Sequence, residues 1–265
     1  IGVPGAVITV VLADNQREVH EAMLTISHYS KLYPGGKLAV DDLSLTVEDG
    51  EIFGFIGHNG AGKTTTLRAV AGVLDFDQGS IIIDGHDMKR EPVAAKRVTA
   101  FLPDNPDLYE FLTGIQYLNF IGDLYEIPGD VRTERIGRYG DAFEMTGNLG
   151  SSIGSYSHGM RQKLAIISAL MRDPKLLVLD EPFVGLDPTA AHLLKIFLAE
   201  LCAKGGAVFF STHVLEVAEK LCHRIAILKN GRLVRQGITA ELVGDSSLED
   251  VFLELDQERD GGVHG

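Results

Sequence analysis

The chain's 265 residues, 45% of them hydrophobic, are enough for one large domain or two small ones with a packed core. The formal net charge of -13 and the scattered lysines and arginines exclude a surface of clustered positive charge, so we expect no nucleic-acid partner. No apolar run reaches the roughly 20 residues of a membrane-crossing helix. The two cysteines, Cys202 and Cys222, lack the spacing of a metal site or redox motif, and no basic segment marks a secretory signal. We therefore expect a globular, cytoplasmic protein.

Strand and helix patterns alternate along most of the chain. Residues 1–22 fit poorly with the rest of the sequence and are interpreted as an N-terminal extension. Strand-like alternation runs from Met23 to Val47, and the apolar run Ile52–Ile56 is typical of a strand buried on both faces. Further short apolar runs alternate with helical stretches, which predicts an α/β fold with a mainly parallel sheet covered by helices. These runs are at 81–83, 98–102, 176–179 and 207–210.

The second half contains a helical insertion, a hairpin and a tail. Strand signals stop at Asp104, and helical patterns at 115–125 and 132–145 predict an inserted helical subdomain over about 104–172. The turn Asn230-Gly231 separates two strand-like runs, and both residues can take positive φ, which predicts a β-hairpin. From residue 256 the chain is polar and glycine-bearing, and we predict a mobile tail after a main domain at 23–255.

A phosphate-binding motif comes directly after the buried strand at 52–56. The segment Gly57–Thr64 matches G-x-x-x-x-G-K-[ST] and precedes a helix that should begin near Lys63. Glycines let the backbone NH groups point at the phosphate oxygens, and the lysine adds a positive charge. Thr64 can offer its hydroxyl to Mg2+, and Thr65 can donate to a phosphate oxygen. The alternative, a plain glycine-rich turn, is disfavoured by this placement. We predict Mg-ATP binding by Gly57, His58, Asn59, Gly60, Ala61, Gly62, Lys63, Thr64 and Thr65.

Polar side chains follow two further buried strands. The run 176–179 leads into Asp180 and Glu181, at the carboxyl end of a strand where open parallel sheets bind ligands. Asp180 suits magnesium, and Glu181 can accept a proton from, or orient, the attacking water. His213 follows the strand at 207–210 and can hydrogen-bond the γ-phosphate. Without the phosphate loop, a turn or helix cap would explain the carboxylates. We predict Lys63, Glu181 and His213 as catalytic residues.

The order of these motifs resembles the ATP-binding cassette (ABC) family over about residues 23–252. The segment Tyr156–Met160 stands where that family has its signature, usually Leu-Ser-Gly-Gly-Gln. Ser157 and Gly159 lie at the start of a predicted helix, which suits an anion, although Ser157 alone would be a plain helix cap. The resemblance implies that this anion is the γ-phosphate of ATP held by a second subunit. It also implies a P-loop NTPase cassette with an N-terminal antiparallel β region.

The resemblance assigns three more features. Gly185–Asp187 is similar to the family's D-loop, His213 to its switch histidine, and Tyr33 to the aromatic residue that stacks on adenine. Strand packing is the alternative for Tyr33. Asp187, followed by Pro188, also has the pattern of a helix cap, and the two roles can coexist.

Three positions depart from the family pattern. Asp104 replaces the usual glutamine; its carboxylate can bind magnesium but cannot donate a hydrogen bond. His158 and Met160 are bulkier than the usual signature residues, and we expect them to alter how tightly the phosphate in trans is held. His58 replaces a common proline, where we expect only backbone geometry to matter.

The resemblance implies an ATP-hydrolysing subunit of a transporter, at the cytoplasmic face of the membrane. Its partners would be a second ABC ATPase subunit and separate membrane-spanning subunits. Residues 247–252 resemble the tail of cassettes that serve ABC-2-type exporters. The alternative, a soluble non-transport cassette, predicts basic clusters or fused cassettes that the sequence lacks. A phosphate-loop kinase leaves Ser157, Gly159 and His213 unused, and the presence of Glu181 opposes a binding-only cassette.

Overall fold

The computed structural model describes residues 22–244 and 246–260. The predicted extension, residues 1–22, lies outside them except for its last residue. In chain order the strands are β1 (Leu24–Leu32), β2 (Leu38–Val47), β3 (Ile52–Ile56), β4 (Gln78–Ile83), β5 (His86–Asp87), β6 (Thr99–Leu102), β7 (Leu176–Asp180), β8 (Ala207–Thr212), β9 (Arg224–Lys229) and β10 (Arg232–Ile238). The helices are α1 (Lys63–Val70), α2 (Pro92–Val98), α3 (Gly114–Leu124), α4 (Gly129–Ala142), α5 (His158–Leu170), α6 (Pro188–Ala203), α7 (Leu215–Leu221), α8 (Thr239–Val243) and α9 (Leu248–Asp260).

The larger sheet is mainly parallel, as the sequence predicts. Its strand order is β10-β9-β3-β8-β7-β6, and β10 is its antiparallel edge strand. Every residue of β3, β7 and β8 is buried, which explains their continuous apolar runs. Alternate residues of β3 enter two different cores: Phe53 and Phe55 pack in one, Ile52 and Ile56 in the other. Because β3, β7 and β8 are parallel neighbours, the loops after them meet at one edge of the sheet.

A smaller antiparallel sheet, of order β2-β1-β4-β5, forms the N-terminal β region. The prediction that 81–83 belongs to the parallel sheet was wrong, because Ile81 pairs with Ile26 of β1 in antiparallel register. The burial pattern gives the reason: Ile81 and Ile83 are buried while Ile82 is partly exposed, so β4 has one buried face. A run of three isoleucines is too short to distinguish that pattern from burial on both faces.

The predicted helical insertion lies between β6 and β7. Helices α3 and α4 cover the predicted segments 115–125 and 132–145 to within a few residues, and α5 comes after them. Thr113 and Gln116 form a reciprocal capping box at the start of α3. Two 3-10 turns, Thr146–Asn148 and Ile153–Ser155, connect α4 to α5. These helices place residues 157–159 at the N-terminus of α5.

The hairpin prediction is confirmed, and the mobility of the segment from residue 256 stays a prediction. Strands β9 and β10 pair in antiparallel register, with φ of 50° at Asn230 and 79° at Gly231. Helix α9 extends through residues 256–260, where we predicted a mobile tail. Gln257, Glu258 and Arg259 are good helix formers, and they extend the helix despite their polarity. Residues 261–265 lie outside the described residues. Within the described part of the chain, no helix is both long and apolar enough to cross a membrane.

Candidate nucleotide-binding site

The loop between β3 and α1 has the backbone of an anion cradle. Gly62 caps α1 in the left-handed region, with φ of 107°, and Gly60 has φ of 81°. A Cβ atom on Gly62 would lie 2.5 Å from the Ala39 carbonyl oxygen, and one on Gly57 would lie 2.3 Å from that of Leu228. Glycine is therefore required here by close backbone approach. The loop and the first turn of α1 line one cleft, where helix NH groups favour a bound phosphate.

Lys63 is held inside its own loop. Its side chain is buried, and Nζ donates hydrogen bonds to the carbonyl oxygens of Gly57 at 2.6 Å and His58 at 3.1 Å. Burial lowers the pKa of Lys63, and the nearby carboxylates of Glu181 and Asp180 oppose that shift. The ammonium group is thus placed at the centre of the cradle, where phosphate oxygens can replace the carbonyls as its partners.

Asp180 ends β7 and has the chemistry of a cation ligand. Its Oδ1 accepts a short hydrogen bond from the Ser211 hydroxyl, whereas Oδ2 is buried and has no partner among the described residues. Burial raises the pKa of Asp180, and the hydroxyls of Ser211 and Thr64 act against that rise. A buried carboxylate oxygen without a donor is costly. Oδ2 of Asp180 and the Thr64 hydroxyl together offer two oxygen ligands of the kind that Mg2+ prefers.

Asp104 contributes negative charge to the same region. It lines the cleft and is one of the charges that raise the pKa of Asp180. Across residues 22–244 and 246–260, no three histidine, cysteine or acidic side chains are close enough to hold a metal by themselves.

Glu181 has an unusual backbone conformation. Its φ is 49°, in a region that costs a non-glycine residue on the order of 1 to 3 kcal/mol. Oε1 lies 2.9 Å from Nδ1 of His213, and Oε2 accepts a longer bond, 3.4 Å, from the His213 backbone NH. The sequence predicted a contact between His213 and phosphate, whereas in the structure the imidazole contacts the Glu181 carboxylate. Glu181 also lines the cleft.

Ser211 is a site residue that the sequence reasoning did not single out. Its hydroxyl donates to Asp180 Oδ1 and accepts from the Glu181 backbone NH at 3.3 Å. The Ser211 carbonyl accepts from the same NH at 3.2 Å. Asp180 and Ser211 are register partners on β7 and β8, so one buried hydroxyl holds both candidate acidic residues. The sequence does contain a signal: Ser211 is the next-to-last residue of β8, the strand that neighbours β7 and its terminal Asp180.

The far side of the cleft comes from the turn between β1 and β2. Tyr33 lies in this turn and lines the cleft, and its hydroxyl is 3.3 Å from Thr65 Oγ1. This position favours a ligand contact over the alternative of strand packing. Lys37, from the same turn, also lines the cleft. Nothing in the sequence pattern distinguished Lys37 from other lysines in glycine-containing turns.

Ser157 and Gly159 are not among the residues that line this cleft. Ser157 caps α5, and its hydroxyl accepts from the Met160 backbone NH at 3.3 Å. A Cβ atom on Gly159 would lie 3.2 Å from the Gly185 carbonyl oxygen, so the two predicted motifs approach each other closely. Asp187 caps α6 and pairs with Lys163 at 2.7 Å, which lowers the pKa of Asp187. The segments predicted as the signature and the D-loop therefore lie next to each other, and Ser157 and Gly159 do not line the cleft.

The ABC transporter family model matches residues 40–184. The chain belongs to the ABC transporter family. It is 34% identical over 233 residues to the ABC transporter ATP-binding protein NatA of Bacillus subtilis, a match that covers 86% of this chain and 95% of NatA. A solved ATP-binding subunit of an ABC transporter superposes with a TM-score of 0.84 at 33% identity, over 88% of this chain and 99% of that one. The protein is thus an ABC transporter ATPase subunit.

A third comparison concerns the fold alone. The ATP-binding cassette MJ0796 matches with a TM-score of 0.75 at 23% identity, over 82% of this chain and 99% of that one. Its structure is described as a dimeric post-hydrolysis state bound to ADP and Pi. The cassette fold that the motif order implied is therefore confirmed, with its antiparallel β region and helical insertion.

Ser211→Ala should lower the Mg2+-dependent ATP turnover of this ABC ATPase by about ten- to a hundredfold. In this variant Asp180 loses the hydrogen bond from the buried hydroxyl, and the Glu181 NH loses one of the two acceptors that Ser211 provides. Steady-state phosphate release against Mg2+ concentration measures the effect. Ser168→Ala is the matched control, because Ser168 is also buried but its hydroxyl bonds to Ala165 within α5. Equal turnover in the two variants would contradict this role for Ser211.

Proposed function

We propose that this chain hydrolyses Mg-ATP as one of two ATPase subunits, and that each ATP site is completed by the signature segment of the second subunit. The observation that carries the proposal is the division of the motifs between two surfaces. The cleft is lined by Lys63, Thr64 and Glu181, whereas Ser157 caps a helix that does not line it. A head-to-tail pair of chains would bring the second surface of one chain to the cleft of the other. The dimeric state described for MJ0796 supports this arrangement.

The residues divide the chemistry of hydrolysis among them. The NH groups of Gly60 and Gly62 and the Lys63 ammonium would bind the phosphates, and Tyr33 would stack on the adenine. Asp180 and Thr64 would hold Mg2+, which neutralises charge on the transferred phosphoryl group. Glu181 would take the proton of the attacking water.

His213, which lies 2.9 Å from Glu181, would orient that carboxylate in addition to contacting the γ-phosphate. Ser157 and Gly159 of the second chain would supply helix NH groups to the same phosphate. The two halves of the site are therefore expected to act only when ATP lies between them.

The proposed partners are a second ABC ATPase subunit, either another copy of this chain or a related one, and membrane-spanning transporter subunits. The chain would then lie on the cytoplasmic face of the membrane. Export is the proposed direction, supported by the resemblance of residues 247–252 to the tails of ABC-2-type cassettes. Turnover that rises when the chain is reconstituted with a co-purified membrane-spanning protein would support this partnership. Turnover unaffected by every membrane-spanning protein that co-purifies would oppose it.

The purified chain should release phosphate from ATP with Mg2+ present and lose that activity in excess EDTA. Asp180→Asn should lower turnover by about a hundredfold or more, because it removes a charged ligand from a buried position. Asp84→Asn is the matched control, since Asp84 pairs with Lys175 and lies outside the cleft. Turnover that persists in EDTA, or is equal in the two variants, would contradict the proposed magnesium site.

A further inference from the structure

The last described helix is fixed against the body of the protein. Leu248 and Val251 of α9 are buried in the core, and the Leu248 backbone NH donates to Glu219 Oε2 at 2.8 Å. The Asp250 carboxylate accepts from the Ser247 backbone NH at 3.0 Å and so caps the start of α9. The first turns of α9 are therefore held in a defined orientation.

That orientation places Phe252 against the phosphate loop. The rings of Phe252 and His58 have centroids 4.7 Å apart and an interplanar angle of 70°, which is the favourable edge-to-face arrangement. Lys229, at the end of β9, donates to the Leu255 carbonyl of α9 at 3.3 Å. We expected only the backbone to matter at position 58, and the ring contact is an interaction of the side chain that the sequence did not indicate.

The backbone of His58 also accepts two hydrogen bonds that stabilise the phosphate loop. Its carbonyl oxygen accepts from the Ala61 backbone NH at 3.1 Å and from Lys63 Nζ at 3.1 Å. A further hydrogen bond stabilises the loop from outside: the NH of Gly231, in the turn after β9, donates to the Ala61 carbonyl at 2.9 Å. A restraint on the His58 side chain therefore acts on the same residue that shapes the cradle and positions its lysine.

We propose that Phe252 is a positioning residue for nucleotide binding: through the His58 ring it holds the phosphate loop in the shape that accepts ATP. This inference rests on the proposed ATP site but not on dimerisation or transport. The glycines of the loop are already in the left-handed region, and the Ala61 NH already donates to the His58 carbonyl oxygen. The contact of Phe252 with the His58 ring therefore stabilises a loop that already has the shape for binding. It links the carboxyl-terminal helix, which does not itself line the cleft, to affinity for nucleotide.

Phe252→Ala should raise the dissociation constant of a fluorescent ATP analogue, and the KM for ATP, by about three- to tenfold. Turnover at saturating ATP should change less than about twofold, because no group that touches the reacting atoms is altered. Phe252→Tyr keeps the ring and should retain wild-type affinity. Leu253→Ala is the control for helix truncation, since Leu253 is the next residue of α9 and is exposed.

A double-mutant cycle distinguishes a contact through His58 from a general loss of stability. His58→Ala alone should weaken binding as much as Phe252→Ala, and Phe252→Ala should add no further loss in the His58→Ala background. His58 is exposed, so its truncation tests the proposal even if Phe252→Ala lowers the melting temperature. Unchanged affinity in His58→Ala, or losses that simply add, would overturn the inference. A wild-type chain that does not bind the analogue at all would instead overturn the proposed function.

Discussion

Replacing Glu181 with glutamine is expected to lower ATP turnover by at least about a hundredfold while ATP binding persists. The amide has nearly the same shape as the carboxylate but cannot accept the proton of the attacking water. The backbone of Glu181 keeps its bonds to Ser211, so the strand end should keep its geometry. Single-turnover phosphate release measures the chemical step, and binding of a fluorescent ATP analogue measures affinity. In the proposed arrangement ATP lies between two chains and holds them together. Because the variant does not hydrolyse this ATP, ATP should also shift it to a dimer in size-exclusion chromatography.

Glu216→Gln is the matched control for this experiment. Glu216 is an exposed glutamate that pairs with Lys220 on α7, and it does not line the cleft. Its substitution removes the same charge from the chain and should leave both turnover and the elution volume unchanged. A Glu181→Gln variant that hydrolyses ATP at the wild-type rate would exclude Glu181 as the base.

Local signals allowed much of the cleft to be predicted from the sequence. The phosphate loop is continuous in sequence, and its glycines report a backbone conformation that side chains would obstruct. Asp180 and His213 were predicted as site residues because a strand buried on both faces is visible as an apolar run, and the residues at the carboxyl end of such a strand lie at the edge where open parallel sheets bind ligands. In each case a short segment carries both the element and the residue that the element positions.

Contacts between distant segments were not predicted. Ser211 acts through its register with β7, and Phe252 through a packing contact with a loop near the other end of the chain. Neither register nor the direction of a helix is encoded in a short window of sequence. The position of Ile81 in the antiparallel sheet is a similar case, because the choice of sheet depends on partners that lie far along the chain.

A mixture of two inactive variants should recover activity if the ATP site is shared between chains. Lys63→Ala removes the charge at the centre of the cradle. Ser157→Asp leaves the cap of α5 intact, because aspartate is a good N-cap, but puts a negative charge where the phosphate in trans would bind. Each variant alone should lose nearly all turnover. In a mixed dimer both defects fall in one site, and the other site combines an intact Lys63 with an intact Ser157.

With random pairing and independent sites, an equal mixture should regain about a quarter of the wild-type turnover, since half of the dimers are mixed and each has one intact site. Ser157→Asn is the matched control: it caps the helix equally well without the charge, so its turnover should exceed that of Ser157→Asp by a large factor. Ser157→Asp should also bind the ATP analogue normally as a monomer, because Ser157 does not line the chain's own cleft. A mixture no more active than its parents, under conditions where Glu181→Gln dimerises, would show that Ser157 does not act across the interface.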